Sequence, residues 1–251
     1  MGILTQPWNL LLVACVGGLA LAAALVVVPP LLVRAGQTLR LRQRCRGRLV
    51  LSYDDGPAPS ATGKLLDLLD HYGVKASFYL VGFRAESAPE LCDRLVASGH
   101  DLGTHTYGHV NVWKCSPWRA VKELHAGCDR LARWVKPDGY FRPPFGKLTT
   151  WTWLAARRRG VPLSWWTIDS GDSRLRPPDP QVTAQRVVEA RGGVVLMHCH
   201  DRGRTYEAHM LDLTERLLDA ARRHDLDVCT YADLFSNGEQ RQGGGINDRT
   251  D

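Results

Sequence analysis

Two carboxylates stand side by side in the hexapeptide SYDDGP (52–57). Held next to each other, Asp54 and Asp55 repel unless a cation lies close by. Gly56 and Pro57 turn the chain directly after them, so a plain Asp-Gly turn is the alternative. Further on, HTYGH sets His105 and His109 four residues apart, a spacing at which two imidazoles can close on one metal ion. The zinc-protease HExxH shares that spacing, but here Thr106 replaces the glutamate base and Gly108 favours a loop over a regular helix. Two histidines and a carboxylate, with positions left for water, make a hydrolytic metal site. RPPFG (142–146) joins the permanent cation of Arg142 to two prolines that stiffen its loop. WTIDSGDS (166–173) supplies two acids, Asp169 and Asp172, and LMHCH (196–200) puts His198 at the end of an apolar run.

Residues so far apart in the chain need a frame that gathers them. Short apolar runs alternate with amphipathic stretches after residue 48, which predicts strands at 49–53, 76–81, 101–104, 140–142, 163–168, 194–198 and 228–231. Helices are expected at 61–71, 89–98, 117–135, 150–159, 180–190 and 206–224; Leu65, Leu66, Leu68 and Leu69 form one apolar side, and Leu211, Leu217, Leu218 and Ala221 another. Repeated βα units imply an α/β fold with a parallel sheet, open or closed, and about seven strands favour a barrel. Each chemical group above falls at the C-terminal end of an expected strand, and in parallel α/β folds those ends converge on one face.

The first 33 residues form a separate unit. No charge occurs from Gly2 through Val33, and the run 10–28 is dominated by Leu, Val, Ala and Gly, long enough for a membrane-spanning helix of roughly 20 residues. Pro29 and Pro30 are expected to end or kink it. No basic residue precedes the run, which favours an uncleaved anchor over a signal peptide. Arg34, Arg40, Arg42, Arg44, Arg46 and Arg48 follow it, predicting an Arg-rich juxtamembrane linker at 34–47 that meets anionic headgroups and, by the positive-inside bias, a domain on the cytoplasmic side. Without those six, 26 of the 32 Lys+Arg remain against 26 Asp+Glu, so the +6 net charge does not call for a nucleic-acid partner. Seven irregularly spaced cysteines give no disulfide framework and no CxxC pair, in keeping with a reducing compartment. A catalytic domain at 48–235 and a disordered tail at 236–251 complete the chain.

Taken in order, SYDDGP, HTYGH, RPPFG, DSGD and LMH resemble the five motifs of the NodB-type polysaccharide deacetylases, also called carbohydrate esterase family 4. The likeness extends to the connecting text, as in KLLDLLDHYGVKASFYLVG and PELCDRLVASGHDLGTHTYGHVN, and covers about residues 48–235. The resemblance implies a distorted (β/α)7 barrel and a metal-dependent hydrolase that removes an N-acetyl or N-formyl group from an amino sugar. It further implies that Asp54 is the general base acting on water, that Asp55, His105 and His109 hold the metal, and that Arg142 keeps Asp54 in place and ionised. The backbone N–H of Phe145, where Tyr is commoner, would stabilise the tetrahedral oxyanion. His198 would protonate the leaving amine, oriented by Asp172 or Asp169. His and carboxylate ligands suit one divalent ion, zinc with cobalt or nickel accepted.

The chain departs from the family pattern at Ser52 and Tyr53, at Ser173 where an aromatic usually follows Asp172, and at Cys199 and His200 where an acid often follows His198. The loss of an aromatic platform favours a small or lipid-linked sugar over a long polymer. A sugar O-acyl esterase on the same site, or a degenerate member that binds sugar without turnover, are the alternative functions.

Overall fold

The computed structural model describes residues 7–236; apart from Ser236, the tail expected at 236–251 lies outside the described residues. Six parallel strands are bonded into one sheet: β1 (Arg48–Gly56), β2 (Ser77–Leu80), β3 (Asp101–Thr104), β4 (Ile168–Asp169), β5 (Gly193–His198) and β6 (Asp227–Val228). Their path runs β3-β2-β1-β5-β4, and two single parallel bridges, Thr104 to Phe141 and Phe141 to Leu163, close it into a ring. The expected strand at 140–142 is thus one bridged residue, and that at 163–168 pairs only at its two ends. Pro143 and Pro144 carry no N–H, so regular pairing of the first stops at Arg142, and Pro162 keeps the second from extending before Leu163. β6 pairs with the opposite edge of β1 from β5, since Leu49 meets both Gly193 and Val228. That placement is the distortion of the barrel.

Helices α2 (Ala61–His71), α3 (Gly82–Ser87), α4 (Pro89–Ala97), α5 (Pro117–Leu131), α6 (Thr150–Arg158), α7 (Pro180–Ala190) and α8 (Arg204–Arg223) wrap the ring. Period-2 geometry sorts β1. Leu49, Leu51 and Tyr53 pack outward with Leu65, Leu66, Leu69, Leu217 and Leu218, each fully buried aliphatic contributing ~1.5–3 kcal/mol. Val50 faces the other way, in a second cluster with Phe141, Trp165, Val194 and Tyr231; Ser52 and Asp54 continue along that side.

The N-terminal segment differs from expectation. α1 (Pro7–Arg44) passes through Pro29 and Pro30 without stopping. Proline at these positions removes the helical bonds to the carbonyls of Leu25 and Val26, and the Thr150 hydroxyl lies 2.8 Å from the first and 3.0 Å from the second. A neighbouring helix therefore satisfies what the prolines leave open. The expected linker at 34–47 is helical through Arg44 and then a turn, and it docks on the domain with Leu41 and Cys45 buried in the second cluster. Nor are all its arginines free for headgroups. Arg34 donates to the Gly146 carbonyl, Arg44 to the Leu234 carbonyl, and Arg48 faces Asp227.

Candidate active site

Consecutive residues of a strand face opposite ways, so two adjacent carboxylates cannot share a site on regular β structure. A bulge in β1 solves this. Asp54 pairs with Tyr79 and Gly56 with Leu80, leaving Asp55 unpaired between them at φ 70°, and both side chains then reach the same end of the barrel. Thr106, His109 and Phe145 also hold positive φ. Such backbone costs about 1–3 kcal/mol per residue, and here it gathers at one place.

Arg142 is fully buried and holds the first acid. Its Nη1 donates to Asp54 Oδ1 at 2.8 Å and to Ser52 Oγ at 2.9 Å, its Nη2 to Ser164 Oγ at 3.2 Å, and its guanidinium lies 3.8 Å from the Tyr79 ring centroid. Ser52 in turn donates to the Val195 carbonyl.

Asp55 faces the imidazoles. Its Oδ1 lies 3.0 Å from His109 Nε2 and 3.5 Å from His105 Nε2. His105 Nδ1 sits 2.7 Å from the Arg142 carbonyl, which can only accept, so Nδ1 carries the proton and Nε2 presents its lone pair towards Asp55. Burial holds the His105 imidazole below its ordinary pKa, keeping it a neutral donor. One ligand atom from each of Asp55, His105 and His109 lies within 4.8 Å of the others, and Asp55 Oδ1 is buried without a hydrogen-bond partner. Two imidazole nitrogens and an unsatisfied carboxylate oxygen at one spot fit a divalent cation. His200, absent from the expected ligand set, brings Nδ1 to 3.4 Å from the other oxygen of Asp55.

Across the site His198 Nδ1 lies 2.8 Å from Asp172 Oδ1, while the His198 backbone N–H donates to Asp172 Oδ2 at 2.7 Å. The Tyr206 hydroxyl lies 3.1 Å from that same Oδ2. Burial depresses the imidazole, but the hydrogen bond and charge of Asp172 outweigh it and bring His198 up to about 9. Asp169, the alternative partner, accepts from the Gly171 N–H and is exposed.

Phe145 closes the remaining side, its ring 4.7 Å from that of His109. The amides of Gly146 and Lys147 donate to Pro143 and Pro144. That of Phe145 makes no hydrogen bond among the described residues, which suits it to a developing negative charge. Arg34 reaches this loop from α1, bonding the Gly146 carbonyl at 2.7 Å with its guanidinium over Trp165 and Trp166.

A family model described as polysaccharide deacetylase matches residues 42–164. A chitooligosaccharide deacetylase from a Bradyrhizobium species is 30% identical over 151 residues, 59% of this chain and 68% of the relative. The chain belongs to the polysaccharide deacetylase family. A Bacillus cereus peptidoglycan-N-acetylglucosamine deacetylase is 29% identical over 164 residues, covering 64% of this chain and 77% of its own. In fold, a solved peptidoglycan N-acetylglucosamine deacetylase superposes with a TM-score of 0.68 at 24% identity, over 78% of this chain and 91% of that one.

This polysaccharide deacetylase brings all eight expected site residues, Asp54, Asp55, His105, His109, Arg142, Phe145, Asp172 and His198, to one end of the barrel. Reading motifs alone misses Ser52, Ser164, Tyr206, His200 and Arg34. Ser52 carried a signal, since it lies two residues before Asp54 and so on the same strand face. Tyr206 and Arg34 come from helices whose docking no local pattern announces.

Proposed function

We propose that this deacetylase is a membrane-anchored hydrolase that uses a divalent ion to remove an N-acetyl, or N-formyl, group from an amino sugar. The division of labour between two adjacent acids carries the reading: Asp54 is held by Arg142, Asp55 by imidazoles. Asp55, His105 and His109 would hold the ion, zinc with cobalt or nickel accepted. When bound, such an ion supplies Lewis-acid activation of water and of the amide carbonyl.

The chain's own groups account for the rest. Asp54, held by the buried guanidinium of Arg142, takes the proton from the attacking water. The Phe145 N–H donates to the oxyanion as the carbonyl becomes tetrahedral. His198, kept protonated by Asp172, gives its proton to the amine as the C–N bond breaks. An amine is a poor leaving group, so this last transfer favours amide over ester hydrolysis as the task the site is built for.

α1 is long and apolar enough to cross a bilayer, with no burial of its apolar window. We infer a single-pass anchor. Arg34, Arg44 and Arg48 have protein partners, but Arg40, Arg42 and Arg46 stay exposed on the C-terminal side of the apolar run, which supports the cytoplasmic side for the domain.

Release of acetate from an N-acetylated amino sugar by the full chain, with and without chelator, tests the reaction. Sugar binding without turnover in the metal-supplemented protein would instead establish a degenerate, carbohydrate-binding member. Faster cleavage of a matched O-acetyl sugar would establish the esterase.

A further inference from the structure

The direction of α1 sets where the active site points. α1 enters β1 through a turn at 45–47, so it climbs the barrel against the direction of the strands. Its contacts rise in order: Cys45 lies beside the start of β1, Gln37 bonds Trp165, Arg34 bonds Gly146, and Leu25 and Val26 meet Thr150 at the N-terminus of α6. Helices of βα units begin where strands end, so α1 leaves the domain at the rim that carries the site. Trp8 to Leu25, beyond that contact, spans about 27 Å as a helix, against a hydrocarbon core of ~30 Å. Arg34, beside the Phe145 loop, lies only about 12 Å further along the helix from Val26.

The same rim exposes large apolar side chains. Phe83, Trp113, Trp118, Phe145, Trp151 and Leu175 are all exposed, Trp118 at 86% and Leu175 at 94%. Each lies on a loop after a strand or in the first turn of the helix that follows. Val96 and Phe235 sit at the other end. Between α5 and α6 the rim opens into a groove of about 710 Å³ lined by Trp118, Val121, Trp151 and Leu154. Arg158, also lining it, lies about 10 Å further along α6 from Trp151, the depth at which a headgroup phosphate would meet it.

We infer that this rim docks on the phospholipid bilayer, with Trp118 and Trp151, at the mouth of the α5–α6 groove, in the headgroup zone. Tryptophan, apolar in body with one polar tip, suits that layer. The site then opens onto the membrane surface, and the amino sugar it deacylates is one carried there on a lipid. This rests on the membrane-anchor reading.

The test uses the full chain in vesicles of phosphatidylethanolamine and phosphatidylglycerol whose acyl chains are brominated near the glycerol end, with tryptophan quenching as the readout. Trp118→Phe combined with Trp151→Phe should remove a quenched component. Trp8→Phe should remove another, reporting the far end of α1. In a second arm, Trp118→Asp with Trp151→Asp should slow deacetylation of a lipid-tethered N-acetylglucosamine about tenfold and leave a soluble chitooligosaccharide unaffected. Quenching unchanged in the double Phe variant overturns the docking face, as does an equal loss on both substrates or burial of the groove in a dimer. If Trp8 is also unquenched, it is the anchor that fails; if Trp8 is quenched and the pair is not, the groove alone fails.

Discussion

Arg34 donates a 2.7 Å hydrogen bond to the carbonyl of Gly146, the residue next to Phe145. α1 therefore helps to set the direction of the amide proposed to meet the oxyanion. A side chain on Gly146 would strike Arg34 and Trp166, so the loop is clamped between them. Arg34→Ala should lower kcat about tenfold, ~1.4 kcal/mol of transition-state stabilisation, with little change in KM. Arg34→Lys should recover part of it, since lysine can donate but lacks the planar fork that stacks on Trp165 and Trp166. Steady-state kinetics on the full chain decide. A rise in KM at constant kcat would place Arg34 in substrate binding.

Asp54 and Arg142 form a pair shut off from water, with side chains 4% and 0% exposed. Truncating one partner leaves the other charged and buried. Arg142→Ala should destabilise the fold by ~3–5 kcal/mol, read from denaturant unfolding. Asp54→Asn keeps a partner for the guanidinium but no base, so it should fold while losing about 10²- to 10⁴-fold in kcat. Full activity in a folded Asp54→Asn protein would remove the base from the scheme.

The His198–Asp172 pair makes stability depend on pH. Burial alone would depress His198, and Asp172 raises it to about 9, above the ~6.5 of an unfolded histidine. A raised pKa means that the folded state holds the proton more tightly. The pair's contribution is therefore complete below about pH 6.5 and is lost as pH rises through about 9. In chelator, the melting temperature of the wild type should exceed that of Asp172→Asn most at pH 6, and the gap should narrow towards pH 9. A gap independent of pH would mean that the imidazole is neutral throughout.

His100 works in the opposite direction. Burial lowers it to about 4, and its Nδ1 accepts from the Ala76 N–H. A depressed pKa gives stability that is present above about pH 6.5 and lost as pH falls through about 4. His100→Gln, which keeps an acceptor, should flatten the acid limb of a melting curve taken between pH 7 and 4. An unaltered acid limb would assign it to other groups.

Motif residues were legible because chemistry constrains their types, and helices such as α7 because a periodic apolar face meets a cap, here Asp179 bonding Gln181. Strand pairing was less so: nothing local says that Phe141 bridges by one residue, or that β6 takes the outer edge of β1. The bulge at Asp55 is visible in retrospect, since two adjacent acids can serve one site only if the strand breaks its alternation. α1 continues past Pro29 and Pro30, which read locally as an end or a kink. Their open carbonyls are met by Thr150, more than a hundred residues away, and short-range propensity contains no such information.

Two imidazoles converging on an unsatisfied Asp55 oxygen predict that ion binding and stability are linked. Titrating zinc or cobalt into chelator-treated protein should raise the melting temperature, with ~2.7 kcal/mol of stabilisation when free ion reaches about a hundred times Kd. His105→Ala and His109→Ala should each abolish most of that shift. His200 tests the outer side of the carboxylate. Its Nδ1, buried without a hydrogen-bond partner, faces Asp55 Oδ2 at 3.4 Å, and if it orients that carboxylate its loss should cost the 10- to 100-fold in affinity typical of an orienting partner. His200→Ala should therefore weaken ion binding by about tenfold in calorimetry while leaving the number of bound ions at one. If His200→Ala abolished binding as completely as His105→Ala, it would have to be counted among the ligands themselves.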